Sequence, residues 1–229
     1  MDIKDRLTAV KNRIREAAET CGRDPHSVRL VAVSKTKPAD SVLDAIEAGV
    51  SILGENYIQE AQDKISTLAS HPVSWHFIGH LQTNKAKFAV KLFDLIHSVD
   101  SLKLARQLDH EAKKVNKIQN VLAQINVGKE ATKSGVSSED TVSLIEEISK
   151  LPNLSIRGLM TMPPFFDDPD RARPCFKELA DLRHHIRSRN IPNVRMDELS
   201  MGMTGDFKVA IECGSTLVRI GTAIFGRRN

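Results

Sequence analysis

The sequence predicts a single (β/α)8 barrel of the TIM type with an extra helix at its N-terminus. Short apolar runs alternate with helical patterns eight times in order, and 229 residues are enough for a small barrel. The main alternative, a doubly wound open sheet, is weakened because no GxGxxG fingerprint follows the first strand. No Gly/Ser-rich linker interrupts the chain, so residues 1–229 are predicted to form one domain.

The extra element at the N-terminus is predicted to be an amphipathic helix. Its apolar residues recur at helical spacing, at Ile3, Leu7, Val10, Ile14 and Ala18. Gly22 follows the pattern and supplies a C-terminal stop. Acidic residues within the segment argue against a mitochondrial presequence, since such presequences are poor in acids. We therefore expect a helix packed on the barrel and a cytoplasmic protein.

Eight βα units follow this helix. The first strand, residues 29–34, is rich in β-branched side chains, and Pro38 suits the first turn of the next helix. Further apolar runs predict strands at residues 51–53, 74–78, 92–98, 120–127, 154–160, 194–199 and 216–220. Helical patterns predict helices at residues 38–48, 57–68, 83–90, 101–114, 169–188 and 206–212. One more helix is predicted to start near residue 138, where Ser-Glu-Asp caps and charges its N-terminus.

The composition argues against several classes of protein. The 33 Lys and Arg residues and 29 Asp and Glu residues are mixed along the chain, and aromatics make up only 4%. No basic stripe with stacking aromatics is present, so we expect no nucleic-acid partner. No apolar run approaches the roughly 20 residues that span a bilayer, so we expect no membrane segment. Three widely spaced cysteines without a CxxC pair indicate a reduced, intracellular compartment.

Functional residues of such a barrel are expected at the C-terminal ends of its strands. Lys35 directly follows the first strand, and either it is a solvated strand end or it is an amine that forms a Schiff base with a carbonyl compound. Lys37 is a weaker candidate because the chain is already turning towards the helix. The polar residues at the other strand ends are Glu55, Asn56, His76, His80, His97, Asp100, Asn126, Ser200, Thr204, Arg219 and Thr222.

Two stretches after the seventh and eighth strands indicate a phosphate site. Residues 199–207 and 218–226 contain Gly202, Gly205 and Gly221, which allow close approach to an anion. Arg219 lies in an apolar strand and either forms a structural salt bridge or donates to a ligand. A metal site at His76 and His80 is disfavoured, because Gly79 interrupts the pair and the segment resembles a strand followed by a turn.

Six motifs together resemble the pyridoxal phosphate homeostasis protein family. They are SKTKP, GENYIQE, WHFIGHLQTNK, RGLMTMPP, LSMGMTGDF and GSTLVRIGTAIFG, and the resemblance runs from about residue 3 to residue 226. Such proteins look like the barrel domain of alanine racemase without its C-terminal β-domain. The resemblance implies that Lys35 holds pyridoxal 5′-phosphate (PLP) as a Schiff base, an internal aldimine. It further implies a phosphate site at Ser200, Met203, Thr204, Gly221 and Thr222, with Arg219 at the pyridine nitrogen and Asn56, His76 and Met160 around the ring.

The function implied by the resemblance is binding rather than catalysis. It is the maintenance of intracellular PLP (vitamin B6) homeostasis by a monomeric, non-catalytic carrier, with delivery of PLP to apoenzymes as an implied role. An arginine at the pyridine nitrogen makes the PLP ring a weaker electron sink. A racemase of this type also needs a second base, which comes from the β-domain side of a dimer. The resemblance is to the barrel without that β-domain, so a second base is not expected. Two alternatives stay open at this point: a PLP-dependent amino-acid racemase of narrow specificity, and a Schiff-base aldolase acting on a phosphosugar.

Overall fold

The computed structural model describes residues 2–128 and 134–226, and in these residues eight parallel strands close into a barrel in sequence order. The strands are β1 (Arg29–Val33), β2 (Ile52–Glu55), β3 (Ser74–Phe77), β4 (Leu95–Val99), β5 (Gln119–Ile125), β6 (Leu154–Thr161), β7 (Val194–Ser200) and β8 (Leu217–Ile220). β1 pairs with both β2 and β8. This closure confirms the predicted fold class and makes the open sheet wrong, because an open sheet has two unpaired edges.

The helices alternate with the strands along the chain. They are α1 (Ile3–Thr20), α2 (Ala39–Glu47), α3 (Ile58–Thr67), α4 (Ala86–Leu92), α5 (Leu102–Lys114), α6 (Thr141–Ile148), α7 (Arg173–Ser188), α8 (Phe207–Glu212) and α9 (Thr222–Phe225). Short 3-10 turns at Thr83–Lys85 and Pro169–Ala172 form the beginnings of two predicted helices. The short helix α9 has no counterpart in the sequence prediction.

The N-terminal helix α1 packs on the barrel as predicted and joins the first unit to the last. Its start is capped by the Asp2 carboxylate, which accepts a hydrogen bond from the Asp5 N–H at 2.8 Å. Its buried face contacts α2, α8 and α9. The Arg6 Nε donates to the carbonyl oxygen of Ile224, in α9, at 2.6 Å. The helix therefore bridges the two ends of the sequence on the outside of the barrel.

The core has two layers. A large apolar cluster fills the space between the strands and the helices, with Phe77, Phe93, Phe176 and Phe207 among its fully buried side chains. A smaller cluster contains one residue from each of six strands: Val31, Ile52, Leu95, Leu122, Met160 and Leu217. Alternate residues of a strand face opposite sides, so the second set lies inside the barrel.

The backbones of β6 and β7 pass close together at Gly158. A Cβ atom on Gly158 would lie 1.9 Å from the carbonyl oxygen of Glu198, so only glycine fits there. The pairing of β6 with β7 also shifts register between Ile156 and Gly158.

No helix within the described ranges is both long enough and apolar enough to cross a membrane.

Candidate functional site

A cavity of about 270 Å³ opens at the C-terminal ends of the strands. Seven of the ten predicted site residues line it: Lys35, Asn56, Met203, Thr204, Arg219, Gly221 and Thr222. Met160 lies in a neighbouring cavity that shares Asn56 with the first. His76 and Ser200 are buried and line neither cavity.

Lys35 directly follows the first strand, as the sequence predicts. Lys35 is half-buried and follows β1 in a turn closed by a hydrogen bond from the Lys37 N–H to the Ser34 carbonyl oxygen at 3.1 Å. Lys37 lines the same cavity, so the turn does not carry it away as the sequence interpretation expected. Two lysines therefore line one cavity.

The guanidinium of Arg219 forms part of the cavity wall although its side chain is buried. Its Nη1 donates to the Ser200 Oγ at 2.5 Å, and its Nη2 donates to the Thr161 carbonyl oxygen at 2.9 Å. Both partners are neutral, and Asp206 acts on the guanidinium only through its field. Burial lowers the pKa of Arg219 to about 10, which still leaves it cationic at neutral pH.

A buried chain of hydrogen bonds continues from Ser200 into the barrel. The Ser200 Oγ lies 2.9 Å from the His97 Nδ1, and the His97 Nε2 lies 3.0 Å from the His76 Nδ1. Burial lowers the pKa of His76 to about 4 and holds the pKa of His97 well below its usual value. Both imidazoles are therefore neutral at physiological pH.

One orientation gives each hydrogen bond between Arg219, Ser200, His97 and His76 one donor and one acceptor. Ser200 accepts from Arg219, so its own hydroxyl proton is directed to the His97 Nδ1, and the His97 Nε2–H is then directed to the His76 Nδ1. This assigns His97 the tautomer protonated at Nε2. These hydrogen bonds fix the direction of the Ser200 hydroxyl, and that hydroxyl fixes the position of the Arg219 Nη1.

The loops after β7 and β8 form another part of the cavity wall. The hydroxyl of Thr222 donates to that of Thr204 across 3.3 Å, and both residues line the cavity. A Cβ atom on Gly221 would lie 3.1 Å from the carbonyl oxygen of Val33, so the backbone there passes close to β1. The Met203 N–H donates to the Asp206 Oδ1 at 2.6 Å and closes the first loop. These contacts leave hydroxyl groups and backbone facing the cavity.

Sequence reasoning missed the apolar part of the lining. Val33, Ile78, Met162 and Phe225 contribute to the cavity wall. Val33 was predictable in principle, because it is the last residue of β1 and strand ends face the mouth of a barrel. Phe225 was not, because it reaches the cavity from the short helix α9. The apolar side chains give the cavity the character expected of a site for a flat organic ring.

Comparison with known proteins gives one consistent result. Residues 6–229 match the family described as "Alanine racemase, N-terminal domain". The chain is 43% identical to the pyridoxal phosphate homeostasis protein of Vibrio alginolyticus, over 99% of this chain and 98% of that protein. It is 42% identical to the protein of the same name from Aquifex aeolicus, over 100% and 99% of the two chains. PipY of Synechococcus elongatus PCC7942, solved with PLP bound, superposes with a TM-score of 0.86 at 34% identity, over 98% of this chain and 100% of PipY.

Proposed function

The chain belongs to the alanine racemase N-terminal domain family and, within it, to the pyridoxal phosphate homeostasis proteins, and from this we propose that it binds PLP at the barrel mouth. One observation carries the proposal. A single cavity contains the Lys35 amine, the Arg219 guanidinium and the hydroxyls of Thr204 and Thr222. PLP presents an aldehyde, a pyridine nitrogen and a phosphate, and these are the groups that such a donor set binds.

The phosphate end of PLP fits the wall made by Thr204, Gly221 and Thr222. The two hydroxyls lie side by side, and Gly221 lines the cavity beside them. We assign phosphate binding to these three residues, with Met203 beside them. Ser200 was predicted to share this role, but its buried hydroxyl is occupied by Arg219 and His97. We therefore give Ser200 the task of orienting Arg219.

The ring of PLP fits between apolar side chains, with Arg219 directed at the pyridine nitrogen. The guanidinium stays protonated at neutral pH, so it donates a hydrogen bond but does not give up its proton to the ring. PLP stabilises carbanions most strongly when its ring nitrogen is protonated, so this arrangement would make the bound ring a weaker electron sink. The buried Oδ1 of Asn56 has no hydrogen-bond partner in the described part of the chain, which leaves it available to a ligand.

Lys35 is the residue proposed to attach PLP covalently. Its Nζ would bond to the aldehyde carbon while the carbonyl oxygen leaves as water, and the reverse reaction would release PLP. A reversible bond at an open barrel mouth suits a protein that limits free PLP and passes it to apoenzymes. The names of the relatives describe homeostasis and mention no reaction, which favours this role over a racemase.

The attachment is tested by trapping the adduct. Protein mixed with PLP is expected to gain visible absorbance, and borohydride reduction followed by peptide mapping is expected to label Lys35. Lys35→Ala should lose both signals. Lys37→Ala is the matched control, because Lys37 lines the same cavity, and it should keep them. A wild-type protein that stays colourless, or a label on Lys37 instead, would overturn the assignment.

Delivery is tested separately. PLP-saturated protein is mixed with an apoenzyme in the presence of a trap for PLP in solution. Activation of the apoenzyme despite the trap supports direct transfer. Activation that the trap abolishes limits the role to storage and release.

A further inference from the structure

A buried charged cluster, which the proposed function does not use, lies beneath the turn that carries Lys35. It consists of Glu55, Glu60 and Lys64 and is called the Lys64 cluster below. The Lys64 Nζ donates to the Glu55 Oε1 at 2.8 Å and to the Glu60 Oε1 at 2.6 Å. Lys64 is 4% exposed and Glu55 is fully buried. Lysine is rarely buried to this extent, so its position invites an explanation.

The Lys64 cluster is bonded to the backbone on both sides of Lys35. On one side, the Lys64 Nζ donates to the Ser34 carbonyl oxygen at 2.6 Å, and the Ser34 Oγ donates to the Glu55 Oε1 at 2.6 Å. On the other side, the Thr36 N–H donates to the Glu60 Oε1. The cluster thus connects the end of β1 to the end of β2 and to α3.

The turn held in this way has an unfavourable backbone conformation. Thr36 has a φ of +64°, in the left-handed region that β-branched residues avoid. Such a conformation persists only when the surrounding structure holds it. The bond from Thr36 to Glu60 adds to the bond from Lys37 to Ser34 that closes the turn, and Lys64 holds Glu60 in place.

Stability alone is a weak explanation for the cluster. Burying the charged groups of Lys64 and Glu55 costs solvation energy, and apolar replacements of buried ion pairs are often neutral or stabilising. The cluster has a geometric effect that apolar side chains would lack, since it fixes the flanks of Lys35 through directed hydrogen bonds. A side chain that must reach one carbon atom of a bound ligand gains from such fixation.

We propose that Lys64 is a positioning residue for Lys35. Its ammonium group holds the carboxylates of Glu55 and Glu60, which bind Ser34 and Thr36. These bonds keep Thr36 in its left-handed backbone conformation. The Lys35 amine is thereby directed into the cavity. This inference rests on the proposed function, in which the Lys35 nitrogen bonds to the aldehyde carbon of PLP and water leaves.

The test compares Lys64→Met with Lys150→Met. Lys150 forms an exposed ion pair with Glu147 and is the matched control. One measurement is the rate of adduct formation after mixing with PLP, followed by visible absorbance. The other is the rate at which acetic anhydride labels Lys35 in the protein without PLP, followed by mass spectrometry of the peptide. The second measurement does not depend on PLP.

Lys64→Met is expected to slow adduct formation at least about tenfold, because the amine is no longer aimed at the ligand. Labelling by acetic anhydride should become faster, because the released turn exposes Lys35 to solvent. Lys150→Met should change neither rate. If Lys64→Met forms the adduct at the wild-type rate and only its melting temperature falls, the cluster is structural and the inference is wrong. Slower adduct formation without faster labelling would also overturn it, since that result indicates damage to the cavity.

Two further outcomes are distinguishable. If Lys64→Met does not fold, Glu60→Gln replaces it, because this variant weakens the bond to Thr36 and leaves the pair of Lys64 with Glu55 intact. The same opposite changes in the two rates are then expected, and unchanged rates contradict the inference. If wild-type protein forms no adduct at Lys35, the proposed function fails. The labelling rates then decide whether Lys64 positions Lys35.

Discussion

The buried histidine pair makes the stability of the fold sensitive to acid. His76 is hydrogen-bonded to His97 inside the barrel, and burial lowers its pKa from 6.5 to about 4. A histidine in the unfolded chain keeps the ordinary pKa and takes up a proton as the pH falls below 6.5. The unfolded state therefore binds more protons than the folded state over this range. The free energy of unfolding should be fully retained above pH 6.5 and decline as the pH falls towards about 4.

The size of the effect follows from the depressed pKa. Each pH unit of difference between the folded and unfolded pKa corresponds to about 1.4 kcal/mol, so His76 alone accounts for a loss of about 3 kcal/mol. His97 has a pKa lowered in the same direction, so it adds to the loss. The contribution of His76 to this decline should level off below its folded pKa.

The assay is urea unfolding followed by circular dichroism at a series of pH values, with His76→Asn beside the wild type. Asparagine places an amide near the position of the histidine Nδ1 but does not titrate. The variant should lose about 3 kcal/mol less than the wild type between pH 6.5 and 4. His184→Asn, an exposed position on α7, should follow the wild-type curve. Parallel curves for wild type and His76→Asn would refute the reasoning, because they would show that His76 binds as many protons in the folded state as in the unfolded state.

Two other predictions concern packing and helix termination. Gly158→Ala should cost about 3 kcal/mol in urea unfolding, because its Cβ would lie 1.9 Å from the Glu198 carbonyl oxygen. Gly205→Ala, which meets no atom within 4 Å, should be nearly neutral, and equal losses would rule out the steric explanation. Lys117→Met should lower the free energy of unfolding by about 1–3 kcal/mol, since the Nζ donates to two carbonyl oxygens at the end of α4, each at 2.7 Å. Lys114→Met, at an exposed ion pair, should leave the thermal midpoint nearly unchanged, and a similar drop in both variants would count against the specific role of Lys117.

The order of the elements was predictable because each unit carries its own periodic pattern. The predicted and observed strands differ mainly at their ends. The second strand was predicted at residues 51–53 and spans Ile52–Glu55. A fully buried glutamate does not resemble the end of a strand, and its burial depends on Lys64, which comes from the following helix. The sequence pattern of the strand alone does not show that Lys64 is the partner of Glu55.

The candidate site was predictable where it depends on strand ends alone. Lys35 and Arg219 follow from the rule that strand ends converge at one face of a barrel. The roles of His76 and Ser200 did not follow, because their contact through His97 depends on the stagger of strands around the barrel. A one-residue change in that stagger would send these side chains elsewhere. The position of Lys37 differed from the prediction for another reason. Thr36 has a left-handed backbone conformation, which redirects the turn so that Lys37 lines the cavity.

The pairing of β1 with β8 has a consequence for synthesis of the protein. During translation, the segment with Lys35 leaves the ribosome well before the segment with Arg219 and Thr222. Until β8 emerges, the nascent β1 has an unsatisfied edge, and such edges are where chains associate wrongly. We therefore expect ligand capture to follow the emergence of β8, and chaperone contact to be concentrated on the unfinished barrel.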